Sequence, residues 1–356
     1  MTTPVPDASG TRTFATIDIG TNTTLLLVAR VSGDGRQVQV LAERAEITRL
    51  GRGIGRGGEL GAAGIDATLG ALREYATLAR AHGAHIAAIG TEGLRRAPNA
   101  QVFLDAARAI LGVAVEVIDG AREAALTFRA VVESFPGLAA GAAPLVVVDI
   151  GGGSTELIVA APRDRAGGGD APAVAANAGA ARDLDIRLRT SLPLGSVRLT
   201  ERHIHSDPPQ PDQLAATRAE IAARLATVSL GLEVPATATV TPTPQPPAPA
   251  EPTLIGVAGT VTSLAAMAQD LTTYDPAKVH GFRLDQQALD AQIARLVPST
   301  QAQRQLMAGL DPRRADVILA GALILRALVT RTGATSVLVS DRGIRWGLLY
   351  DLIKRN

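Results

Sequence analysis

The feature that most constrains this chain occurs twice. Phe14-Ala-Thr-Ile-Asp18 runs into Gly20-Thr-Asn-Thr-Thr24 and then an apolar stretch from Leu25. Pro144-Leu-Val-Val-Val-Asp149 runs into Gly151-Gly-Gly153 and then Ser154 and a second apolar stretch. Each copy reads as a buried strand, an Asp-Ile-Gly corner, a small polar tip and a returning strand, which is a hairpin pattern. Chance glycine turns would not share their polar tips, so a duplicated domain is the economical explanation. A length of 356 residues accommodates two such domains.

The first copy continues with strands at 38–45 and 47–50 and a loop over 51–64. A helix at 65–82, a strand at 85–90, a helix at 99–112, a strand at 113–118 and a helix at 121–135 follow. The second continues from Ile255 with a strand, a Gly259-Thr260 turn and a helix over 261–271. It closes with a helix at 315–331, a strand at 336–339 and a helix at 342–353. Strands first, then alternating helices and strands, is the signature of a mixed-sheet α/β domain. Residues 163–190, rich in Gly, Ala and Asp, and 235–252, with seven prolines, read as inserts. The proline segment is expected to be a peripheral mobile loop.

Composition then narrows the function. There is no cysteine, which removes disulfides, thiolate nucleophiles, iron–sulfur clusters and cysteine zinc sites. A formal net charge of +1 argues against nonspecific binding to nucleic acid or an anionic membrane. Hydrophobic residues are 46% but aromatics 3%, so the core is expected to be aliphatic. The start carries no basic and apolar leader, and the longest apolar stretch, 317–325, is well short of the roughly 20 residues of a membrane span. The expectation is a soluble cytoplasmic protein. His82 with His85, and His203 with His205 in a polar loop, lack the spacing and third ligand of a zinc site.

The chemistry lies in the turns. In Asp18-Ile-Gly20-Thr21-Asn22-Thr23, backbone amides and two hydroxyls would face a ligand. In Asp149-Ile-Gly151-Gly152-Gly153-Ser154-Thr-Glu156, successive glycines permit a nest for anionic oxygens. Asp149 and Glu156 bracket that nest. Carboxylates beside a phosphate repel it unless a cation intervenes, and Mg²⁺ held by one or two carboxylates plus phosphate oxygens meets that need. The pair of turns points to one cleft that holds a polyanionic phosphate. Gly256-Val-Ala-Gly259-Thr260 opens a helix and could face the same anion, or could be an ordinary packing turn. Arg95 follows a strand end, where it either reaches the cleft or is solvated. Glu123 stands in the first turn of a helix, where capping is the plain reading.

Together these motifs resemble the exopolyphosphatase / guanosine pentaphosphate phosphohydrolase family. The resemblance runs from about residue 13 to 352. It also takes in Val117-Ile-Asp-Gly120, Ser191-Leu-Pro-Leu-Gly-Ser-Val-Arg-Leu199, Arg314-Ala-Asp-Val317 and Val339-Ser-Asp-Arg-Gly343. It implies an actin-like, sugar-kinase-like α/β fold of two RNase H-like domains with the active site between them. These are expected at 13–130 and 140–341, with the helix at 342–356 a candidate to complete the first. By motif, Glu123 resembles the glutamate that activates water, with Glu156 the second candidate base. Asp149 and Glu156 resemble the magnesium-associated carboxylates. Arg95, Thr21, Gly152, Gly153 and Ser154 resemble the phosphate contacts. Three departures stand out. Thr-Asn-Thr replaces the common Ser-Asn-Ser, Leu25 stands where a basic residue is common, and the extra helical domain of longer members is not expected. The implied activity is Mg²⁺-dependent release of terminal phosphate from inorganic polyphosphate or guanosine pentaphosphate. The alternatives are an ATP-dependent kinase or ATPase, and a nonenzymatic phosphate or nucleotide sensor. A homodimer is an admissible assembly.

Overall fold

The computed structural model describes residues 10–54, 58–141, 143–162, 184–232 and 251–355. The first sheet has the order β3-β2-β1-β4-β5. Its strands are β1 (Arg12–Ile19), β2 (Thr24–Val31), β3 (Val38–Glu46), β4 (His85–Gly90) and β5 (Val115–Val117). β1, β2 and β3 pair antiparallel, whereas β4 and β5 run parallel to β1. The second sheet has the order β10-β11-β9-β6-β7-β8. It is built from β6 (Leu145–Ile150), β7 (Thr155–Pro162), β8 (Leu184–Leu192), β9 (Thr253–Val257), β10 (Arg283–Asp285) and β11 (Ser336–Val339). Without the edge strand β10 it repeats the first sheet strand for strand, directions included. This is the duplicated architecture that the hairpins foretold, in the RNase H-like form that the family resemblance implied. Even the turns match, since Gly20 donates its amide to the Thr23 carbonyl and Gly151 donates to that of Ser154, both at 3.0 Å.

Helices α1 (Ala62–Ala81), α2 (Glu92–Arg96), α3 (Ala100–Leu111) and α4 (Gly120–Ser134) belong to the first half of the chain. Helices α5 (Ser196–His203), α6 (Pro211–Ala226), α7 (Ala258–Ala268), α8 (Gln286–Leu296), α9 (Ile318–Thr332) and α10 (Ile344–Arg355) belong to the second. α1 and α3 cover one face of the first sheet with a core around Leu72, Tyr75 and Phe103. α10 and α4 cover the other face, where Leu126 and Ala130 meet Leu349 and Leu352. α4 also turns Ala124, Phe128, Val131 and Val132 toward Val147, Ile158 and Ile255 of the second sheet. It is therefore wedged between the sheets with apolar residues on both sides, and its first turn lies where the two glycine turns converge. The core is aliphatic, as the composition requires.

Three expectations need correction. Residues 47–50 do not form a strand. After β3 ends, Arg49 takes a φ of +54°, and the amides of Arg49 and Gly51 bond to the carbonyls of Asn22 and Thr21. This segment buttresses the first turn instead of pairing in a sheet. The expected insert at 163–190 runs into β8, which begins at Leu184. The Gly-, Ala- and Asp-rich run that precedes it in sequence masks the apolar–charged alternation of Leu184 to Arg189, which is a strand signal. Residues 163–183 lie outside the described residues, as do 235–250 of the proline segment. His203 ends α5 and meets Glu220 at 2.6 Å, so it is not in a loop. Among the described residues, no helix is long and apolar enough to cross a membrane.

Candidate active site

The antiparallel register of the two hairpins fixes the first elements of the site. Asp149 lies directly across from Glu156 on β7, and Asp18 lies across from Leu25 on β2. Two carboxylates paired across strands are unfavourable for stability alone. α4 adds Glu123 from its first turn, capped at Asp119, whose side chain accepts the Arg122 amide at 2.7 Å. Asp18, Glu123, Asp149 and Glu156 are all buried. They line one cavity of about 580 Å³ together with Gly20, Thr21, Asn22, Thr23, Gly151, Gly152, Gly153, Ser154, Gly259 and Thr260. The two Asp-Ile-Gly turns thus face a single cavity. Arg95 does not line it. It holds Glu123 instead, with Nη1 donating to Glu123 Oε1 at 2.7 Å and to the Ile118 carbonyl at 2.5 Å.

The glycine turn is presented by α5. The amide of Ser196 donates to the Gly151 carbonyl, and those of Val197 and Arg198 donate to the Gly152 carbonyl, at 2.9–3.1 Å. Three otherwise orphaned helix N-terminal amides are satisfied in this way. In a planar trans peptide the carbonyl and the following N–H point in opposite directions. Drawing these carbonyls toward α5 turns the Gly152 and Gly153 amides away from it. Among the described residues, no acceptor takes the amides of Gly152, Gly153 or Ser154.

The carboxylates are electrostatically frustrated. Burial, then Asp149 and Glu123, push Asp18 up to about 8 against the pull of Arg345. Burial raises Glu123 to about 7 despite Arg95. Burial raises Asp149 to about 6, with the Thr127 hydroxyl donating to its Oδ2 at 3.1 Å. Burial, Glu123 and Asp149 hold Glu156 well above the carboxylate range, while Ser191 donates to its Oε1 at 2.7 Å. Oδ1 of Asp18 is buried without a hydrogen-bond partner. Among the described residues, no group of three or more acidic or histidine side chains forms a protein-only metal cage. Such a donor set suits a divalent cation that takes one or two carboxylates and completes its shell with water and phosphate oxygens.

A raised carboxylate pKa contributes stability that is complete below the unfolded value of 3.8 and lost as pH rises through the folded value of about 8. Asp18→Asn should therefore raise the thermal midpoint at pH 8.5 in chelator by about 5 °C, with the gap closing near pH 4. Equal midpoints at pH 8.5 would show that Asp18 carries no such strain.

Three cavity residues had weak sequence signals. Arg314 stood in a matched motif without a role. Its Nη2 donates to Thr23 Oγ1 at 3.1 Å, and it lies against Gly259, where a Cβ would collide with its guanidinium. Arg345 and Asp341 reach the cavity only because α10 returns to the first sheet, where the Thr16 hydroxyl donates to the Arg345 carbonyl at 2.9 Å. No local pattern marks Arg345.

Comparison with known proteins accords with this geometry. The profile of the Ppx/GppA phosphatase family matches residues 27–356. Exopolyphosphatase 2 of Mycobacterium tuberculosis is 35% identical over 352 residues, covering 95% of this chain and 98% of that protein. A guanosine-5'-triphosphate,3'-diphosphate pyrophosphatase of Vibrio atlanticus is 28% identical over 348 residues, covering 96% of this chain and 59% of that longer protein. Among solved structures, an exopolyphosphatase from Cytophaga hutchinsonii superposes with a TM-score of 0.79 at 25% identity, covering 97% of this chain and 98% of that one. The Aquifex aeolicus Ppx/GppA family member superposes with a TM-score of 0.71 at 29% identity, covering 97% and 99%.

Proposed function

Because the chain belongs to the Ppx/GppA phosphatase family, we propose that it hydrolyses the terminal phosphoanhydride of inorganic polyphosphate or guanosine pentaphosphate. The observation that carries this reading is the convergence of four buried carboxylates on a cavity walled by two phosphate-type turns. A sensor would need the turns but not that costly cluster of acids. An ATP-dependent kinase would also need an acceptor site. The lobes we assign run over 13–130 with 342–356, and over 140–341.

In this reading the amides of Gly152, Gly153 and Ser154 cradle the terminal phosphoryl oxygens. The Thr21 and Thr23 hydroxyls and the first turn hold the adjoining phosphate from the opposite wall. Asp149 and Glu156 are the residues that would hold Mg²⁺, which supplies charge neutralisation between carboxylates and phosphate. Glu123, fixed by Arg95, orients the attacking water and takes its proton. Phosphoryl transfer rests mainly on such positioning and electrostatics.

The deciding assay compares phosphate release with Mg²⁺ from short polyphosphate, long polyphosphate, guanosine pentaphosphate and ATP. Turnover of ATP alone would overturn the proposal. A base must be deprotonated to act, so with Glu123 near 7, kcat should climb as pH rises through about 7. A bound cation moves that rise to lower pH. A rate that falls across this range would exclude Glu123 as the base.

A further inference from the structure

A second cavity, of about 230 Å³, shares Thr21, Gly152 and Gly153 with the first. The two turns are therefore a partition, with Asp18, Glu123, Asp149 and Glu156 on one side and Glu92, Arg96 and Arg198 on the other. Arg198 donates through Nε to the Gly153 carbonyl at 2.7 Å and through Nη2 to Glu92 Oε1. Glu92 belongs to α2 on the first sheet's side, and Arg198 to α5 on the second's. Both are largely buried, at 9% and 11% side-chain exposure. The Glu92 carboxylate occupies the space a Cβ on Gly153 would need.

The Gly151 and Gly152 carbonyls are held by helix backbone, which any residue can supply. The Gly153 carbonyl is held by a side chain, and that side chain is held by an acid from the other lobe. Peptide planarity then aims the Ser154 amide away from Arg198, toward the carboxylate-lined cavity. Resting on the phosphatase reading, we infer that Arg198 is a positioning residue that points the Ser154 amide at the transferred phosphoryl group, and that Glu92 makes this alignment depend on the two lobes being together.

The test uses the full chain with Arg198→Ala, Glu92→Gln and the double variant. Arg198→Ala should fold, because Glu92 keeps Arg96 at 2.9 Å. Its kcat on short polyphosphate should fall roughly 10²-fold, as for loss of one aimed donor, with little change in KM. Guanidinium at millimolar concentration should restore part of that rate, and equal ammonium should not. Glu92→Gln should cost less, and the double variant no more than Arg198→Ala alone. Titration of ¹⁵N-labelled protein with inorganic phosphate should shift the Ser154 amide in the wild type and leave it still in Arg198→Ala. Wild-type kcat in Arg198→Ala, or an unchanged Ser154 response, would overturn the inference. Additive losses in the double variant would remove Glu92 from it. The amide titration needs no turnover, so a wild type that releases no phosphate would sink the phosphatase reading while this readout still decides the alignment.

Discussion

Glu123→Gln is expected to lower turnover roughly 10²–10⁴-fold while substrate affinity stays intact or tightens. The substitution keeps size and hydrogen-bonding capacity but removes the basic carboxylate. In the proposed reading, binding rests on the turn amides and on the Thr21 and Thr23 hydroxyls, none of which it touches. It also removes one negative charge from a buried cluster, which favours both the fold and the polyanion. Arg95 still bonds the Ile118 carbonyl, so it is not left unpartnered. If Glu123 only caps α4, the loss should be a fraction of a kcal/mol in stability with turnover unchanged. Phosphate release and equilibrium binding on the same purified variant separate the two. Near-normal release would move the role of base to Glu156.

Gly195→Ala should be comparably damaging for a different reason. Gly195 has an ordinary extended φ of −136°, so its conformation does not demand glycine. The demand is space, because an added Cβ would press on the backbone of Gly152 and Gly153. α5 would have to withdraw from the turn, and its amides would release the carbonyls that set the nest. Misaiming even one donor costs about 10²–10³ in kcat, and overpacking costs roughly 1–3 kcal/mol in stability. Gly70→Ala is the control. It lies mid-α1 with open space around it, so it should gain about 0.5–1 kcal/mol and leave the rate alone. Thermal melts and kcat on both variants check this, and full activity in Gly195→Ala would show that α5 does not shape the turn.

Much of the site was legible because its logic is local. Asp-Ile-Gly at a strand end fixes the corner, and an antiparallel return places Glu156 opposite Asp149 by counting residues. What escaped was decided by tertiary placement. Glu123 reads as a helix cap, since nothing in its own helix shows that α4 lies between two sheets. Arg95 was legible as a residue of the site but not as Glu123's partner, because a side chain's choice of acceptor depends on elements far away in sequence. The 47–50 segment looked like a strand by hydrophobicity, yet its amides were claimed by the first turn. β8 was mostly hidden inside a supposed insert because the Gly- and Ala-rich run before it masked the alternation that begins at Leu184.

The return of α10 to the first sheet also bears on how the protein is made. A face of β1 and β2, lined by Phe14, Leu27 and Ala29, is closed by Leu349 and Leu352, and Thr16 waits for an acceptor 329 residues downstream. As the chain leaves the ribosome, the first sheet can form with its α1 and α3 face covered, but α4 alone covers part of the opposite face until α10 emerges. At roughly 5–20 residues per second that interval is tens of seconds. A premature stop before α10 is then expected to leave an apolar patch of the first lobe uncovered instead of a working half-enzyme.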